Sequence, residues 1–265
     1  MKTNYDLKWN KKLSLFPLSD VHVGHQNFNQ ELFEFWIEIV RKNKGDKRIY
    51  LMGDLVDFPS TRVSAWDNNM SPNEAEEYII QSLKQFKNDI IAVVPGNHEQ
   101  RSEKIHNFNI AESIAHALEV PYSPADYFDQ FTVNGQCLTV HFKHGTRFSR
   151  SGDLAMRGFK QDSSSLESDL FLMGHNHYLS FDSEFHRNQN KGYRRYYGFT
   201  GHFLNYTGSY AHVKGNRVLP AGFMKLNVDA KCNFDCKFFN VDKCLPAMAE
   251  IYYDFWRRKT KTNFQ

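Results

Sequence analysis

Polar residues of the kinds that bind metal ions follow five short apolar runs in the sequence. They form the segments Asp20-Val21-His22-Val23-Gly24, Gly53-Asp54-Leu55-Val56-Asp57, Gly96-Asn97-His98-Glu99, His144-Gly145 and Gly174-His175-Asn176-His177. Each histidine taken singly is most simply a hydrogen-bonded or surface residue. Five such segments at one sheet edge would instead bring carboxylates, imidazoles and a carboxamide together, where they would repel one another or stay unsatisfied unless a cation held them.

The donor types indicate which ions these segments would bind. No thiolate is among them, which disfavours a closed structural zinc site and favours divalent ions held by oxygen and nitrogen. We expect manganese, with iron, zinc or nickel as alternatives. The donors also exceed the needs of one tetrahedral ion. Two ions about 3.5 to 4 Å apart, bridged by one carboxylate, would use them all, an arrangement that recurs in enzymes acting on phosphate esters.

The five apolar runs predict the strands that position the polar segments. These strands cover residues 13–18, 48–52, 90–94, 138–142 and 170–173. Apolar residues at helical spacing predict helices between them. The helices cover residues 28–42, 72–87, 110–118 and 152–160. Alternating strands and helices predict an α/β sheet with βαβ crossovers, and ligands of such sheets collect at the carboxyl ends of the strands.

One pair of strands departs from this alternation. Residues 131–133 and 136–140 flank Asn134-Gly135, a strong hairpin signal, so the strand before His144 is predicted to be antiparallel to its neighbour and the sheet to be mixed. From about residue 181 to 225 the sequence is aromatic and alternating, which favours further antiparallel strands or loops.

Composition excludes several classes of protein. The 265 residues include 12 His and 4 Cys and carry a net charge of +3, and a chain of this length can bury a core without disulfides. Its apolar runs are far shorter than the roughly 18 residues of a membrane span, and its charged start does not resemble a signal peptide. Few cysteines agree with a reducing compartment. We therefore expect a cytoplasmic protein without membrane contact.

The series D-x-H-x-G, G-D-x-x-D, G-N-H-E, H-G and G-H-x-H, in this order, resembles the calcineurin-like metallophosphoesterase superfamily. It runs from Asp20 to His177, the majority of the chain, and the combination is specific although each motif alone is weak. The resemblance implies a two-sheet mixed β sandwich flanked by helices, with a dinuclear metal site at the strand ends. We predict this domain for residues 1–230 and a cysteine-containing, basic extension for residues 231–265.

The resemblance also implies a role for each residue. The residues that would hold metal ions are Asp20, His22, Asp54 and His177 for one ion, and Asp54 as the bridge with Asn97, His144 and His175 for the other. His98 resembles the family's non-ligand histidine, which protonates the leaving oxygen, and Asp57 would orient it. A carboxylate on one ring nitrogen fixes the tautomer and leaves the other nitrogen free to act. The ions would lower the pKa of a bridging water, so that a hydroxide is available to attack phosphorus.

Departures from subfamily patterns bear on the substrate. Protein serine/threonine phosphatases of the superfamily carry Arg-Gly after G-D-x-x-D and an Arg before G-N-H-E, where this sequence has Phe58-Pro59 and Pro95, although Glu99 matches that group. The segment around Asp20 is more similar to the SbcD-type nuclease and phosphodiesterase branch, which usually has Asp where Glu99 stands. We expect a phosphodiesterase acting on a nucleotide or nucleic-acid strand. A phosphomonoesterase of small substrates is one alternative, and a non-catalytic scaffold, disfavoured because every ligand position is filled, is another.

Three further features remain open at this point. Residues 183–225 contain seven Lys or Arg against Glu184 alone, and their interleaved aromatic residues either stack on bases or form the core of a sheet. Arg101 and Arg147 follow the metal-binding motifs, and each either clamps a phosphate oxygen or is a solvated loop arginine. His202 follows the last motif, and we assign it no metal.

A group of three cysteines lies near the end of the sequence. Cys232, Cys236 and Cys244 form C-x3-C-x7-C. This spacing fits no usual C-x2-C zinc pair and lacks an evident fourth ligand, so reduced cysteines are the preferred interpretation and a zinc site the alternative.

Overall fold

The helices and strands come from a computed structural model, which describes residues 2–59, 68–146, 149, 151–188, 191–205 and 219–241. The helices are α1 (Gln30–Lys42), α2 (Pro72–Leu83), α3 (Asn97–His106), α4 (Ile110–Leu118) and α5 (Gly152–Asp162). The strands are β1 (Asn4–Tyr5), β2 (Leu13–Leu18), β3 (Lys47–Met52), β4 (Ile90–Val94), β5 (Asp126–Val133), β6 (Gln136–Lys143), β7 (Leu170–Met173), β8 (Leu179–Asn188), β9 (Lys191–His202), β10 (Gly222–Val228) and β11 (Phe234–Asn240). None of the described helices is long and apolar enough to cross a membrane.

The strands form two sheets that meet at one corner. One sheet has the order β4-β3-β2-β10-β11 and the other β1-β5-β6-β7-β9-β8, with β9 pairing briefly with β10. Strands β2, β3 and β4 are parallel and linked through α1 and α2, which confirms the predicted βαβ crossovers. Strands β5 and β6 are antiparallel around Asn134-Gly135, both of positive φ, so the predicted hairpin and mixed pairing are also confirmed.

Alternate strand residues face different cores, as the two-residue repeat of a strand requires. In β3, Tyr50 and Met52 pack between the two sheets, whereas Ile49 and Leu51 pack under α1, α2 and α4. On the outer face of the other sheet, Phe159 of α5 packs in a third, smaller core. The layers are therefore helix, sheet, sheet and helix, and the predicted α/β sandwich is confirmed.

Helix α3 and strand β11 were not predicted because their local pattern is weak. Helix α3 has the polar sequence NHEQRSEKIH, so no apolar stripe marks it, and its start is fixed by contacts with distant loops described below. Strand β11 pairs along the whole of β10. It lies beyond residue 230, in the predicted extension. Residues 242–265 are outside the described part of the chain, and the division into a domain and an extension stays a prediction.

The described cysteines of the C-terminal group pack as apolar residues. Cys232 and Cys236 lie partly buried against the core between the sheets, and burial raises the pKa of the Cys236 thiol to about 12. Among the described residues, neither belongs to a group that could hold a metal ion. Cys244 lies outside the described residues.

Candidate active site

The polar segments meet at the carboxyl ends of β2, β3, β4, β6 and β7, where backbone hydrogen bonds join the loops. The N–H groups of Asp20 and His22 donate to the carbonyls of Gly53 (3.1 Å) and Asp54 (2.9 Å). The carboxylate of Asp20 in turn accepts the N–H of His175 at 3.0 Å. This last bond joins residues that are 155 positions apart in the chain.

The first group of candidate ligands contains Asp20, His22 and His177. Oδ1 of Asp20 lies 3.2 Å from Nε2 of His177, and Nε2 of His177 lies 3.4 Å from Nε2 of His22. Asp20 and His22 are buried, whereas the side chain of His177 is 19% exposed, so this group opens to solvent on one side. The three donor atoms lie close enough together to hold one ion.

The second group contains Asp54, His144, His175 and Asn97. Oδ2 of Asp54 lies 3.2 Å from Nε2 of His144. Oδ1 of Asn97 lies 2.8 Å from Nδ1 of His175 and 3.2 Å from Nε2 of His144. Nδ1 of His144 contacts the carbonyl of Met52 at 2.9 Å, which turns Nε2 toward the site.

Asp54 stands between the two groups. Its Oδ1 accepts the N–H of His98 at 2.9 Å, and its Oδ2 faces His144 at 3.2 Å and His22 at 3.8 Å. A single carboxylate thus lies within reach of histidines from both groups. This is the placement that a bridging ligand requires.

The spacing of these atoms fits metal coordination. Ligands about 2.1 Å from an ion and at right angles to one another lie about 3 Å apart, and the closest donor pairs in both groups are separated by 2.8 to 3.4 Å. The donors are carboxylate and carboxamide oxygens and imidazole nitrogens, which suit a hard or borderline divalent ion. The structure therefore brings all seven predicted ligands together, while their individual roles stay predictions.

The electrostatics of the site favour a cation. Burial would raise the pKa of the Asp20 carboxyl, but its hydrogen bond to His177 and the nearby His144 hold it well below the usual range. Burial would likewise raise the pKa of Asp54, yet His144 and His98 hold it well below normal. Burial would lower the pKa of His144, but Asp54 and Asp20 raise it to about 10. The carboxylates thus create a negative potential at the imidazoles.

The backbone at the site is strained. Five candidate ligands have left-handed φ angles between 49° and 66°, a conformation that costs on the order of 1 kcal/mol or more for each residue with a side chain. They are Asp20, His22, Asp54, His175 and His177. Sequence alone gave no sign of this strain. Its concentration at the strand ends indicates that the fold holds these side chains in place at the expense of stability.

Two glycines permit the close approach of the loops. A Cβ on Gly96 would lie 2.1 Å from Oδ1 of Asp54, and one on Gly174 would lie 2.5 Å from Oγ of Ser19 and 2.7 Å from Oδ2 of Asp20. Neither contact is sterically allowed. The glycines of G-N-H-E and G-H-x-H are therefore required by the packing of the site.

His98 lies beside the two groups and is held by Asp57. Nδ1 of His98 contacts Oδ1 of Asp57 at 2.7 Å, and its Nε2 points toward Asp54, 3.9 Å from Oδ2. The side chain of His98 is 19% exposed, so its ring can be reached from solvent. Burial would lower its pKa, but Asp54 and the hydrogen bond to Asp57 raise it above the usual value.

Asp57 has a second contact that sequence reasoning missed. Its Oδ1 also lies 3.3 Å from Nδ1 of His22, so one carboxylate orients both imidazoles. The rings of His22 and His98 meet edge to face, with centroids 4.7 Å apart. Asp57 therefore links the predicted proton donor to a predicted metal ligand.

Two arginines, Arg101 and Arg147, are predicted to contact the substrate, and the structure describes the first of them. Nη1 of Arg101 donates to the carbonyl of Phe58 (3.4 Å) and lies 3.2 Å from Nδ1 of His98. Arg101 is thus part of the site's wall, on the side of His98 away from Asp54. Arg147 lies outside the described residues.

His202, to which no metal was assigned, reaches the site. Its ring stacks on that of His177, with centroids 4.8 Å apart and planes inclined by 24°. Its Nδ1 accepts the N–H of Leu204 at 3.2 Å. The residue is fully buried at the end of β9, where it supports one face of His177.

Glu99 is a second residue whose role sequence reasoning missed. Its buried carboxylate accepts four backbone N–H groups, at distances of 2.6 to 3.2 Å. The donors are Asp54, Leu55, Val56 and Gly96. Glu99 is the third residue of α3 and reaches back to Gly96, which is the pattern of a capping box and the sequence signal that could have revealed it. It clamps the loop of Asp54 to the loop of His98.

Replacing Glu99 by alanine is expected to lower the free energy of unfolding by about 3 kcal/mol, because several buried N–H groups lose their acceptor. Urea denaturation measures the loss. The matched control is Glu103→Ala on the exposed side of the same helix, for which a change within about 0.5 kcal/mol is expected. Equal unfolding midpoints for the two variants would contradict the clamp.

A mixed sandwich with carboxylates and imidazoles grouped at its strand ends is an α/β fold whose side chains could hold metal ions. The chain belongs to the calcineurin-like phosphoesterase family, whose model matches residues 17–230. The family resemblance drawn from the motifs is thereby confirmed, whereas the closer likeness to the nuclease branch stays a prediction. A comparison with curated proteins found no match.

The chain is similar to solved structures from several organisms. A 5'-nucleotidase structure from Staphylococcus aureus is 13% identical, with a TM-score of 0.48. The match covers 87% of this chain and 54% of that one. A predicted phosphoesterase from Streptococcus pneumoniae is 13% identical with a TM-score of 0.40, over 87% of this chain and 98% of that one. A 5'-nucleotidase from Candida albicans is also 13% identical, with a TM-score of 0.39, over 89% and 53%. The chain thus spans about half the length of the two nucleotidases.

Proposed function

We propose that the protein is a dinuclear metal-dependent phosphodiesterase that acts on a nucleotide or a nucleic-acid strand. The position of Asp54 supports this proposal most strongly, because one carboxylate oxygen faces histidines of two separate ligand groups. Two divalent ions in such a site would supply a nucleophilic water of lowered pKa and would neutralise charge on the phosphate.

The chain's own residues divide the remaining tasks. The two ligand groups would hold the ions, and Glu99 keeps the loops of Asp54 and His98 in register. His98 holds a proton at Nε2 for the leaving oxygen, while Asp57 accepts the hydrogen bond from Nδ1–H and fixes the ring. Inversion at phosphorus without a covalent enzyme intermediate is expected.

The described residues place little positive side-chain charge around the site, which favours a diester. A phosphate monoester carries close to two negative charges near neutral pH, whereas a diester carries one. Among the described residues, Arg101 is the basic side chain that contacts a predicted site residue, and it also donates to the carbonyl of Phe58. A phosphate with one negative charge matches this small number of basic side chains better than a phosphate with two.

A substrate comparison tests the proposal. With manganese present, we expect turnover of bis(p-nitrophenyl) phosphate to exceed that of p-nitrophenyl phosphate by at least about tenfold in kcat/KM, a difference of about 1.4 kcal/mol in transition-state stabilisation. Linear DNA, RNA and cyclic nucleotides extend the comparison to natural diesters. Turnover of the monoester alone would contradict the diesterase assignment and identify a phosphatase.

A further inference from the structure

Strands β8 and β9 continue beyond the sandwich as a two-stranded arm, defined here as residues 183–188 and 191–195. Strand β7 pairs with β9 only from Tyr196 onward, so within the described residues the earlier part of β9 pairs with β8 alone. Several residues of the arm are exposed, among them Phe185, Arg187, Tyr193 and Arg194.

One face of the arm is basic and carries no acidic residue. In the antiparallel ladder Phe185 stands opposite Arg194, and Arg187 stands opposite Gly192, so their side chains share this face. Both arginines are exposed, and among the described residues no carboxylate forms an ion pair with them. Glu184 points to the other face, where Lys160 binds it at 2.8 Å.

Phe185 is an exposed aromatic residue whose ring packs on the backbone of Gly192. Its side chain is 66% exposed. A Cβ on Gly192 would lie 2.1 Å from Cζ of Phe185, so the ring edge lies over the glycine backbone, where any side chain would displace it. The absence of a side chain at this one position lets the ring lie across the strand, between the two arginines.

We propose that this face of the arm binds single-stranded nucleic acid, with Phe185 stacking on a base and with Arg187 and Arg194 contacting phosphates. Aromatic rings combined with positive charge are how proteins bind single strands without reading their sequence. This proposal rests on the proposed function. It narrows the substrate from a nucleotide or a nucleic-acid strand to a single-stranded nucleic acid.

The arm's distance from the ligand groups sets a length requirement. Phe185 follows His177 by eight residues of nearly continuous strand, or about 26 Å at 3.3 Å per residue. That distance corresponds to roughly eight nucleotides at the 3.4 Å spacing of stacked bases. A nucleic acid that keeps its bases stacked must be at least this long to contact the arm and the ligand groups together, so the gain in kcat/KM from the arm should increase with the length of the nucleic acid.

Binding is measured by fluorescence anisotropy with a labelled oligothymidylate longer than this span, in EDTA so that nothing is hydrolysed. Phe185→Ala is expected to weaken binding about tenfold, within the range expected when one base no longer stacks. Removing both arginines should make the dependence of log K on log salt shallower by about 0.7 for each phosphate that an arginine no longer neutralises. The control is Phe238→Ala on β11, which removes a comparably exposed phenylalanine (44%) and should bind like wild type.

Failure of nucleic-acid binding at the arm can be distinguished from failure of the proposed hydrolase activity. If Phe185→Ala and the double arginine variant fold, by circular dichroism, and bind like wild type, the arm proposal is overturned whatever the enzyme hydrolyses. If wild type binds the oligonucleotide and Phe185→Ala does not, but no ester is hydrolysed, the arm stands and the proposed function fails. A wild-type dimer that Phe185→Ala converts to a monomer, without oligonucleotide binding, would assign the face to self-association and overturn the proposal.

Discussion

Replacing Asp54 by asparagine is expected to reduce metal-dependent hydrolysis at least about 1,000-fold, a loss of about 4 kcal/mol in transition-state stabilisation. Asparagine keeps one oxygen that can accept the N–H of His98, as Oδ1 of Asp54 does. It replaces Oδ2, the oxygen that faces His144 and His22, by an amide nitrogen that cannot bind a metal ion. The variant also loses the negative charge that both ligand groups share.

The Asp54→Asn experiment has two readouts. The rate of hydrolysis of bis(p-nitrophenyl) phosphate should fall, and the metal content of the protein should fall below two ions per chain. The control is Asp235→Asn, which removes an exposed carboxylate that pairs with Lys12 at 3.3 Å. An Asp54→Asn protein that keeps both ions and its full rate would remove Asp54 from the bridging position.

Replacing His98 by alanine is expected to slow hydrolysis by about 100- to 10,000-fold for esters with poor leaving groups, the usual contribution of a general acid. An alkoxide needs a proton as it departs, whereas p-nitrophenolate is stable without one. The loss should therefore be much smaller with p-nitrophenyl esters. The metal content should not change, because His98 touches Asp57 and Asp54 but is not assigned as a ligand.

This leaving-group dependence separates proton donation from metal binding. His116→Ala, on the exposed side of α4, is the matched control and should behave like wild type with every substrate. If His98→Ala emptied a metal position, or slowed all esters equally, the role of proton donor would be wrong.

The parts of the site that sequence analysis predicted are those fixed by local rules. Buried strands are recognisable from short apolar runs, and the residue after a strand end must lie at the sheet edge, so Asp20, Asp54 and His144 could be placed together. The parts that were missed depend on contacts between distant segments. Three of the four N–H groups that Glu99 binds are more than 40 residues away, and His202 stacks on a ring 25 residues earlier.

Backbone conformation at the site was also beyond sequence analysis. Asp20 and His175 adopt left-handed φ angles only because neighbouring loops are bonded to them, since a side chain makes this conformation unfavourable. The polar helix α3 forms for a similar reason, because Glu99 satisfies the N–H groups of the adjoining loop. Local propensity opposes both features, and tertiary contacts outweigh it.

The net charge of +3 averages two regions of opposite character. Buried carboxylates of the ligand groups attract cations, whereas the exposed face of the arm around Arg187 and Arg194 attracts anions. A nucleic acid held at the arm would place one of its phosphates at the ligand groups. Bound ions would balance the negative charge of the carboxylates there. The two regions are therefore compatible with one substrate.

Anomalous diffraction from crystals grown with manganese tests the central claim most directly. We predict two peaks about 3.5 to 4 Å apart, one on each side of the Asp54 carboxylate. One should contact Asp20, His22 and His177, and the other Asn97, His144 and His175. A single peak, or two peaks without Asp54 between them, would contradict the dinuclear site on which the proposed hydrolysis rests.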